Sequence, residues 1–366
     1  MGKINVMLIF GGKSGEHEVS LMSATSILKA INKDKYNIIT VGITKDGIWK
    51  LYEGPIDDIQ SGAWEKIANE GAKSGGFTTH MSLLPTENGN GMITLGNGRV
   101  EKIDVVFPVL HGPFGEDGTI QGLFEMINVP YVGTGVLASS VAMDKAMTKK
   151  LLQVDGILQA KYDVIMLKEY KKDNKKVLDQ LEEKFKYPVF VKPANMGSSV
   201  GITKANNREK LNEAICLAGK YDRKIVIEET IMGKEIECAV LGNDDPMASL
   251  PAEIMPSAEF YDYHDKYFGG TSKYAIPANL PEDILEEVRK ISIKVYQLLD
   301  CSGLSRVDCF VENNTNRILL NEVNTMPGFT KISMYPKMWE ATGIKYEDLI
   351  DRLIELAIER FNERNN

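Results

Sequence analysis

Apolar runs and helical patterns alternate along the chain. Ile4–Phe10 is a continuous apolar run, and after a Gly-rich turn apolar residues recur at helical spacing from Val19 to Ile31. This order predicts a strand, a turn and a helix. Strands predicted at Asn37–Ile43 and Ile103–Leu110 follow at the spacing of βαβ units, which indicates an α/β arrangement.

The same alternation continues to the C-terminus. Residues 53–100 are polar and Gly-rich, which predicts hairpins, and Val129–Val132 closes the first unit. Later helices are predicted at Ser139–Gly156, 174–186, 207–219, 281–300 and 345–363, and later strands at Tyr162–Leu167, Tyr187–Ala194, Val200–Lys204, Lys224–Glu229 and 235–242. We therefore predict an α/β (α+β) protein in three parts, which comprise residues 1–133, 134–229 and 230–366.

Composition narrows the possible partners. The chain has 366 residues, and its 43 Lys and Arg against 51 Asp and Glu leave a net charge of −8. This acidity argues against a protein that coats nucleic acid or an anionic membrane, although small anionic ligands respond to local charge. The first apolar run is too short for a signal peptide or a membrane span. Four scattered cysteines favour a reducing compartment, so we expect a cytoplasmic protein.

The most informative stretch is a hairpin near the C-terminus. Its predicted strands are Ser305–Glu312 and Arg317–Asn324, joined by a polar turn. If the turn is symmetric about Thr315, Asp308 faces Glu322 across the strands. Two carboxylates on directly opposite residues of neighbouring strands lie close enough to repel each other unless a positive charge lies between them.

Two further polar residues share this face. Arg306 is predicted to face Asn324, while alternation places Val307, Cys309, Val311, Leu319 and Val323 on an apolar opposite face. The carboxylates of Asp308 and Glu322 with the Asn324 amide would suit magnesium, and Arg306 could stabilise a developing oxyanion. The alternative is a solvated polar face with one surface salt bridge.

Glycines and hydroxyl groups follow a lysine that lies inside an apolar strand. Lys192 is costly in that position unless an anion neutralises it, and the loop at 197–201 could surround phosphates with backbone N–H groups. Lys145 is a weaker second cation. The alternative is a lysine that reaches solvent beside an ordinary hairpin turn.

Other candidates are weaker taken singly. Glu228 and Glu229 end a strand at a predicted hinge where adenine could lie, with Glu235 near a ribose hydroxyl, although acidic residues at a strand end are the simpler interpretation. His111 follows a strand end, where open α/β sheets bind ligands, although a lone histidine is more often structural. Tyr261, Tyr263, Lys266 and Tyr267 suggest either an aromatic lid or an aromatic surface loop.

The turn at 11–20 could bind an anion at a helix N-terminus. Gly12-Lys13-Ser14 resembles the end of a P-loop, but Met7 stands where the first glycine should be, so that interpretation fails. The alternative is a helix capped by Ser14.

Taken together, these motifs resemble those of the D-alanine–D-alanine ligases, a family of the ATP-grasp superfamily, over nearly the whole chain. The matching landmarks occur in the family's order: Gly11-Gly12-Lys13-Ser14-Gly15-Glu16-His17-Glu18-Val19-Ser20, His111-Gly112 with Gly115-Glu116-Asp117-Gly118, Met143-Asp144-Lys145, Val191-Lys192-Pro193 with Gly197-Ser198-Ser199-Val200-Gly201, Tyr261-Asp262-Tyr263 with Lys266-Tyr267, Arg306-Val307-Asp308, and Asn321-Glu322-Val323-Asn324-Thr325-Met326-Pro327-Gly328.

The resemblance implies an ATP-grasp fold with an N-terminal pre-ATP-grasp (Rossmann-like) domain. ATP would lie between the other two parts with two Mg²⁺ (or Mn²⁺) ions, and K⁺ is a possible activator. The family transfers the γ-phosphate to the carboxylate of one D-alanine, and the amine of a second D-alanine then displaces phosphate. A homodimer is also implied.

Individual roles follow by motif. Glu16 would bind the first D-alanine ammonium group and form a triad with Ser198 and Tyr267, while Arg306 and the Gly328 N–H would stabilise the oxyanion. The substrate contacts implied are His111, Ser333 and Met334, with Ser333 at the second carboxylate. The ATP contacts implied are Lys145, Lys192, Lys266, Ser198, Ser199, Glu228, Glu229, Ile231 and Glu235. The metal ligands implied are Asp308, Glu322 and Asn324.

Two alternatives remain at this point. A D-Ala–D-Ser or D-Ala–D-Lac ligase has the same chemistry; the lactate type lacks the pair seen here as Lys266-Tyr267, and the serine type tends to carry Arg near Met334. His264 in the lid complicates this comparison. A non-catalytic nucleotide-binding module is the alternative from another class. We favour the D-Ala–D-Ala activity.

Overall fold

The computed structural model describes residues 2–67, 81–82, 92–95, 100–197, 199–255 and 273–365. The strands are β1 Ile4–Gly11, β2 Tyr36–Ile43, β3 Trp49–Leu51, β4 Met81–Ser82, β5 Met92–Leu95, β6 Val100–Lys102, β7 Val105–Val109, β8 Tyr162–Met166, β9 Val189–Pro193, β10 Thr203–Ala205, β11 Lys224–Glu229, β12 Gly233–Gly242, β13 Met247–Ala248, β14 Ala252–Met255, β15 Lys273–Ala275, β16 Gly303–Glu312 and β17 Ile318–Asn324. The helices are α1 His17–Ala30, α2 Ile56–Gln60, α3 Thr119–Met126, α4 Val136–Met143, α5 Lys145–Val154, α6 Leu167–Lys172, α7 Asn174–Lys184, α8 Arg208–Ala218, α9 Glu282–Leu298, α10 Met334–Thr342 and α11 Tyr346–Asn365. The α/β prediction is confirmed.

The N-terminal sheet has the strand order β3-β2-β1-β7. Strand β1 is parallel to both of its neighbours, and α1 connects it to β2, as the βαβ spacing predicts. Because β1 lies inside the sheet, its apolar side chains from Val6 to Phe10 are fully buried. The carboxyl ends of β1 and β7 meet at one edge, which brings the segments after Gly11 and after Val109 together.

The next two large sheets are antiparallel. The second has the order β10-β9-β11-β8, and the third has the order β15-β14-β12-β16-β17 with β13 paired to β12. Each predicted strand has a counterpart, and Tyr131 in the closing segment Val129–Val132 forms an isolated bridge with Val106. Strands β4, β5 and β6 form a small antiparallel sheet.

The single helix predicted over Ser139–Gly156 is wrong, because the structure has two helices there. Asp144 separates α4 from α5 with an extended backbone (φ −86°, ψ 95°), and its carboxylate accepts the backbone N–H groups of Ala146 and Met147. Asp144 is therefore the N-cap of α5. The break sets Lys145 at the start of a helix, beside the end of β9.

The apolar core continues from one part of the chain to another. One cluster joins the N-terminal sheet, the third sheet and the C-terminal helices, including Val6, Phe107, Leu241, Leu304, Trp339 and Leu353. A second cluster packs Ala138 and Ala142 of α4 under the third sheet. Neighbouring sheets are thus held in fixed positions around the cleft described below.

Within the described ranges, no helix is long and apolar enough to cross a membrane.

Candidate active site

The predicted pairing across the hairpin is confirmed at its four polar positions. Arg306 pairs with Asn324, and Asp308 pairs with Glu322. On its other side Asp308 pairs with Glu237 of β12. Three carboxylates therefore lie in a row across three adjacent strands, which requires nearby positive charge.

A β-bulge adjusts the register between the turn and these residues. The turn is not symmetric about Thr315, since Val311 pairs with Ile318. Asn321 is the additional residue on β17, and it moves the pairing by one position. The bulge also places Ile318, in place of the predicted Leu319, in the apolar cluster under the sheet. Without it, the polar residues of β17 would point to the opposite face.

Two cations balance the acidic row. The guanidinium of Arg306 donates through Nε and Nη2 to both oxygens of Asp308, each at 2.7 Å, and Arg306 Nε lies 3.3 Å from Glu237 Oε2. Lys145 Nζ lies 3.5 Å from Glu322 Oε2. The bidentate geometry orients Arg306 along the cleft wall.

The oxygen-rich donor set fits a hard divalent cation such as magnesium. The Asp308 and Glu322 carboxylates are opposite each other, and the Asn324 amide, which donates to Asp308 Oδ2 at 2.9 Å, could instead present its oxygen. No group of three or more acidic, His or Cys side chains in the described ranges is arranged to hold a metal alone. A magnesium ion bound by one or two carboxylates usually completes its coordination with water and phosphate oxygens.

The first residues of the loop after β9 are anchored to their surroundings. The backbone N–H of Lys145 donates to Ala194 O at 3.0 Å, and Lys145 Nζ donates to Met196 O at 2.7 Å. Asp222 accepts both the backbone and the side-chain N–H of Asn195, at 2.9 and 2.8 Å. The start of α5 and the loop are therefore held together, with the Lys145 side chain between them.

Lys192 lies on β9 with a buried side chain, as its position in an apolar strand predicts. Its Nζ is 2.7 Å from Glu228 Oε2 and donates to Asn321 Oδ1 at 3.2 Å. Burial alone would raise the pKa of Glu228, but the charges of Lys149 and Lys192 outweigh it and bring the pKa to about 2. Glu228 is therefore ionised at neutral pH.

Glu16 lies against two loops at once. A Cβ atom added to Gly197 would be 2.7 Å from Glu16 Oε2, and one added to Gly112 would also clash with that oxygen. The Glu16 side chain is buried. Glycine at 112 and at 197 thus makes room for a carboxylate between the N-terminal sheet and the loop after β9.

The segment that carries Gly328 is held by two residues of the N-terminal part of the chain, Ser23 on α1 and His111 after β7. His111 Nδ1 is 2.9 Å from Met326 O, so Nδ1 carries the proton, and His111 Nε2 is 3.3 Å from the Ser23 hydroxyl. That hydroxyl accepts the Phe329 N–H at 3.2 Å. Burial lowers the pKa of His111, which favours the neutral ring. Both ring nitrogens contact protein, so His111 also positions this segment.

A second contact holds the same segment. The Met326 N–H donates to Glu116 Oε2 at 3.3 Å, and Glu116 Oε1 accepts the Gly112 N–H at 2.9 Å. Burial and the nearby Glu16 carboxylate raise the pKa of Glu116. The backbone on the N-terminal side of Gly328 is thereby fixed.

Some of these residues line one cleft with a volume of about 330 Å³. Its lining brings together eleven residues of the motifs and roles expected from the sequence: Glu16, His111, Lys145, Gly197, Ser199, Arg306, Glu322, Asn324, Gly328, Ser333 and Met334. Outside this lining lie Lys192, Glu228, Glu229, Ile231, Glu235 and Asp308. Ser333 is the N-cap residue of α10, so the N-terminus of that helix faces the cleft and favours an anion.

Some predicted residues lie outside the described ranges. These are Ser198 of the loop and Tyr261, Tyr263, His264, Lys266 and Tyr267 of the predicted lid. The triad of Glu16 with Ser198 and Tyr267 is therefore not tested.

Sequence reasoning missed four residues of this region. Lys149 follows Lys145 by one helical turn, and Glu237 follows Glu235 by two residues on β12, so spacing alone could have placed each on the same face as its predecessor. Glu116 was part of a motif without a role. Ser23 had no signal beyond its position in α1.

Family models match most of the chain. The model described as D-ala D-ala ligase N-terminus matches residues 5–134, and the model described as D-ala D-ala ligase C-terminus matches residues 151–355.

Similar proteins carry related names. A D-alanine--D-alanine ligase of Acetivibrio thermocellus is 55% identical over 99% of this chain and 97% of its own length, and one from a Thermoanaerobacter species is 52% identical over 100% and 99%. Among solved structures, the D-alanine-D-alanine ligase of Coxiella burnetii has a TM-score of 0.86 at 34% identity, covering 100% of this chain and 97% of that one. The D-Ala:D-Ser ligase VanG of Enterococcus faecalis has a TM-score of 0.85 at 36% identity, covering 97% and 100%.

Proposed function

Because the chain belongs to the D-alanine–D-alanine ligase family, we propose that it joins two D-alanine molecules for the synthesis of peptidoglycan precursors. It has the ATP-grasp fold of that family and is an ADP-forming ligase. The observation that best supports the proposal is the acidic row with Arg306, because Glu237, Glu322 and Arg306 line the same cleft as Lys145 and Glu16.

The reaction has two steps. The carboxylate of the first D-alanine attacks the γ-phosphorus of ATP, which forms an acyl phosphate and releases ADP. The amine of the second D-alanine then attacks the acyl carbon, loses a proton, and displaces phosphate to leave the peptide bond. Both steps bring anions together, so cationic side chains and exclusion of water are required.

Residues from different parts of the chain would bind different parts of the two D-alanine molecules. Glu16, buried between Gly112 and Gly197, would bind the ammonium group of the first D-alanine. Arg306 and the Gly328 N–H would stabilise the tetrahedral oxyanion. Ser333 at the α10 N-terminus would hold the second carboxylate, next to Met334 and with His111 behind the Gly328 segment.

ATP would occupy the neighbouring region, where lysines converge. Lys145, Lys192 and Ser199 would contact phosphates, as would Ser198 and Lys266 outside the described ranges. The adenosine would meet Glu228, Glu229, Ile231 and Glu235. Asp308, Glu322 and Asn324 would hold two Mg²⁺ or Mn²⁺ ions, whose charge would reduce repulsion between phosphate and carboxylate oxygens; K⁺ would be an activator.

Phosphate release tests this function. With ATP, Mg²⁺ and D-alanine, we expect stoichiometric formation of phosphate and D-alanyl-D-alanine, with little phosphate when D-alanine is omitted. A folded protein that binds ATP but releases no phosphate would instead identify a non-catalytic nucleotide-binding module.

We also propose a homodimer with a cytoplasmic location, and three domains at 1–133, 134–229 and 230–366, supported by the three main sheets. The dimer is supported by an apolar stripe on α5. Met147, Leu151 and Val154 are spaced by one helical turn and are exposed by 41%, 36% and 88%. Such a continuous exposed stripe is typical of a protein contact.

Substituting glutamate at this stripe is expected to separate the dimer. The double variant Leu151→Glu/Val154→Glu should elute as a monomer in light-scattering chromatography, because two buried carboxylates per subunit would lack partners. Leu217→Glu on α8 is the matched control, since Leu217 is also 36% exposed, and it should leave the mass unchanged. A dimeric double variant, or a monomeric wild type, would contradict the proposed interface.

Adding a methyl group at Gly197 is expected to disturb the Glu16 site. In Gly197→Ala the new Cβ would approach Glu16 Oε2 to 2.7 Å, so the loop and the carboxylate must move apart. We expect the KM for D-alanine to rise about tenfold or more, because positioning errors of this size are costly. Gly122→Ala is the control, since its Cβ would meet nothing within 4 Å and the site lies in α3. An unchanged D-alanine KM in Gly197→Ala would argue against the role of Glu16.

A further inference from the structure

Lys149 is a buried ammonium group without a role in the proposed mechanism. It lies on α5 one turn after Lys145, and it is only 1% exposed. Burial of an ammonium group is costly unless a neighbouring group of opposite charge pairs with it. Its neighbour Lys150, by contrast, is exposed. The position of Lys149 therefore calls for a partner inside the protein.

That partner is Glu228, the residue proposed to face adenine. Lys149 Nζ is 3.1 Å from Glu228 Oε1, while Lys192 Nζ is 2.7 Å from Glu228 Oε2. Each carboxylate oxygen thus has its own ammonium group. Lys149 Nζ also lies 5.4 Å from the centre of the ring of Tyr162 on β8.

The two lysines fix both the orientation and the charge of this carboxylate. A carboxylate with an ammonium group within 3.1 Å of each oxygen cannot rotate freely, and each oxygen has a lone pair to accept a further hydrogen bond. With the pKa of Glu228 at about 2, it accepts hydrogen bonds and donates none at neutral pH. Lys192 also contacts Asn321 on β17, the strand of Glu322 and Asn324, whereas within the described ranges Lys149 forms an ion pair with Glu228 alone.

A fixed acceptor discriminates between purine bases. Adenine has an amino group at carbon 6, which donates a hydrogen bond to a carboxylate. Guanine has a carbonyl oxygen there, which a carboxylate repels. Polar groups that are left unpaired in this way are a strong source of selectivity.

We propose that Lys149 is a positioning residue for nucleotide recognition, which holds the Glu228 carboxylate toward the adenine amino group and thereby favours ATP over GTP. This inference rests on the proposed function, since it takes the adenine site at Glu228 from it. Lys192 would keep its contact with phosphate, so the two lysines on Glu228 have different tasks. Loss of Lys149 should therefore affect the base more than the amino acid substrate.

Variants at position 149 test the inference in the full-length protein. In Lys149→Met we expect the KM for ATP to rise about tenfold and the ATP-to-GTP ratio of kcat/KM to fall by a similar factor, with the D-alanine KM within about twofold of the wild type. Lys149→Arg keeps the positive charge, so its ATP-to-GTP ratio of kcat/KM should lie between those of Lys149→Met and the wild type. Lys150→Met, at the exposed neighbouring lysine, should behave as the wild type.

Two results would overturn the inference. One is a Lys149→Met protein with a lower Tm but an unchanged ATP-to-GTP ratio, which would mean a merely structural lysine. The other is an equal rise in the KM for ATP and in the KM for D-alanine. If Lys149→Met does not fold, Lys149→Arg and Glu228→Gln are compared instead, and Glu228→Gln must lower the same ratio.

Calorimetric titration with ADP and GDP separates this inference from the proposed function. The preference for ADP does not require turnover, so it should fall in Lys149→Met even if D-alanine proves not to be the substrate. A wild type without D-alanine activity would refute the proposed function alone. A preference for ADP that is equal in wild type and Lys149→Met would refute the inference alone.

Discussion

Replacing Glu322 by glutamine is expected to lower D-alanine-dependent phosphate release about a thousandfold or more while the protein stays folded. Glu322 lies opposite Asp308 in the acidic row and 3.5 Å from Lys145. Glutamine keeps the volume but removes the negative charge that a magnesium ion needs at this position. If magnesium binds less tightly, its positive charge no longer reduces the repulsion between the γ-phosphate and the D-alanine carboxylate.

The matched control for this variant is Glu312→Gln on the same hairpin. The Glu312 side chain is 22% exposed against 24% for Glu322, but it pairs with Arg317 at the turn end of the hairpin. Its replacement should leave turnover unchanged, and both variants should keep the Tm within a few degrees. Substantial turnover in Glu322→Gln would contradict the metal-ligand assignment.

Replacing Arg306 by lysine is expected to lower kcat by a factor of about 10² to 10³ with little change in the KM for ATP. The lysine keeps one positive charge but cannot donate to both oxygens of Asp308, as the Arg306 guanidinium does at 2.7 Å. Its ammonium group would also lose the fixed orientation needed toward a developing oxyanion. The defect should therefore appear after substrate binding.

Arg289→Lys controls for the general effect of this exchange. Arg289 donates to Ala248 O through Nη2 at 3.1 Å and pairs with Glu286 on α9, outside the cleft. Steady-state kinetics should show a normal kcat for this control. If Arg306→Lys kept a normal kcat and changed only the KM for ATP, the oxyanion role of Arg306 would be wrong.

The hairpin illustrates what local pattern can predict. Alternation placed Arg306, Asp308, Glu322 and Asn324 on one face, and the structure has the predicted pairs. The assumed turn was nevertheless wrong, and the bulge at Asn321 compensates for it. A bulge depends on how two strands fit together, so the residues of one strand do not reveal it.

The break at Asp144 shows how a continuous apolar pattern can hide the N-cap signal of a new helix. The apolar pattern around it is continuous in helical spacing, which favours one helix. Asp144 is nevertheless a strong N-cap residue, and its carboxylate accepts two N–H groups of α5. The break matters for function because the new helix begins with Lys145 at the cleft, with Lys149 one turn later.

Contacts between distant segments account for most of what could not be predicted. The Lys149–Glu228 pair and the Ser23–Phe329 hydrogen bond join residues far apart in the chain. Residue types and spacing carry no information about such pairs until the sheets are assembled. The family resemblance supplied the substrate roles, whereas these tertiary contacts explain how the cleft is held in shape.

Acceptor competition tests the central claim most directly. The protein is incubated with ATP, Mg²⁺ and D-alanine together with equal concentrations of D-serine and D-lactate at several pH values, and the products are identified by mass spectrometry. We predict D-alanyl-D-alanine as the main product, with one phosphate released for each dipeptide. A main product with D-serine or D-lactate, or release of phosphate without ligation, would contradict the account.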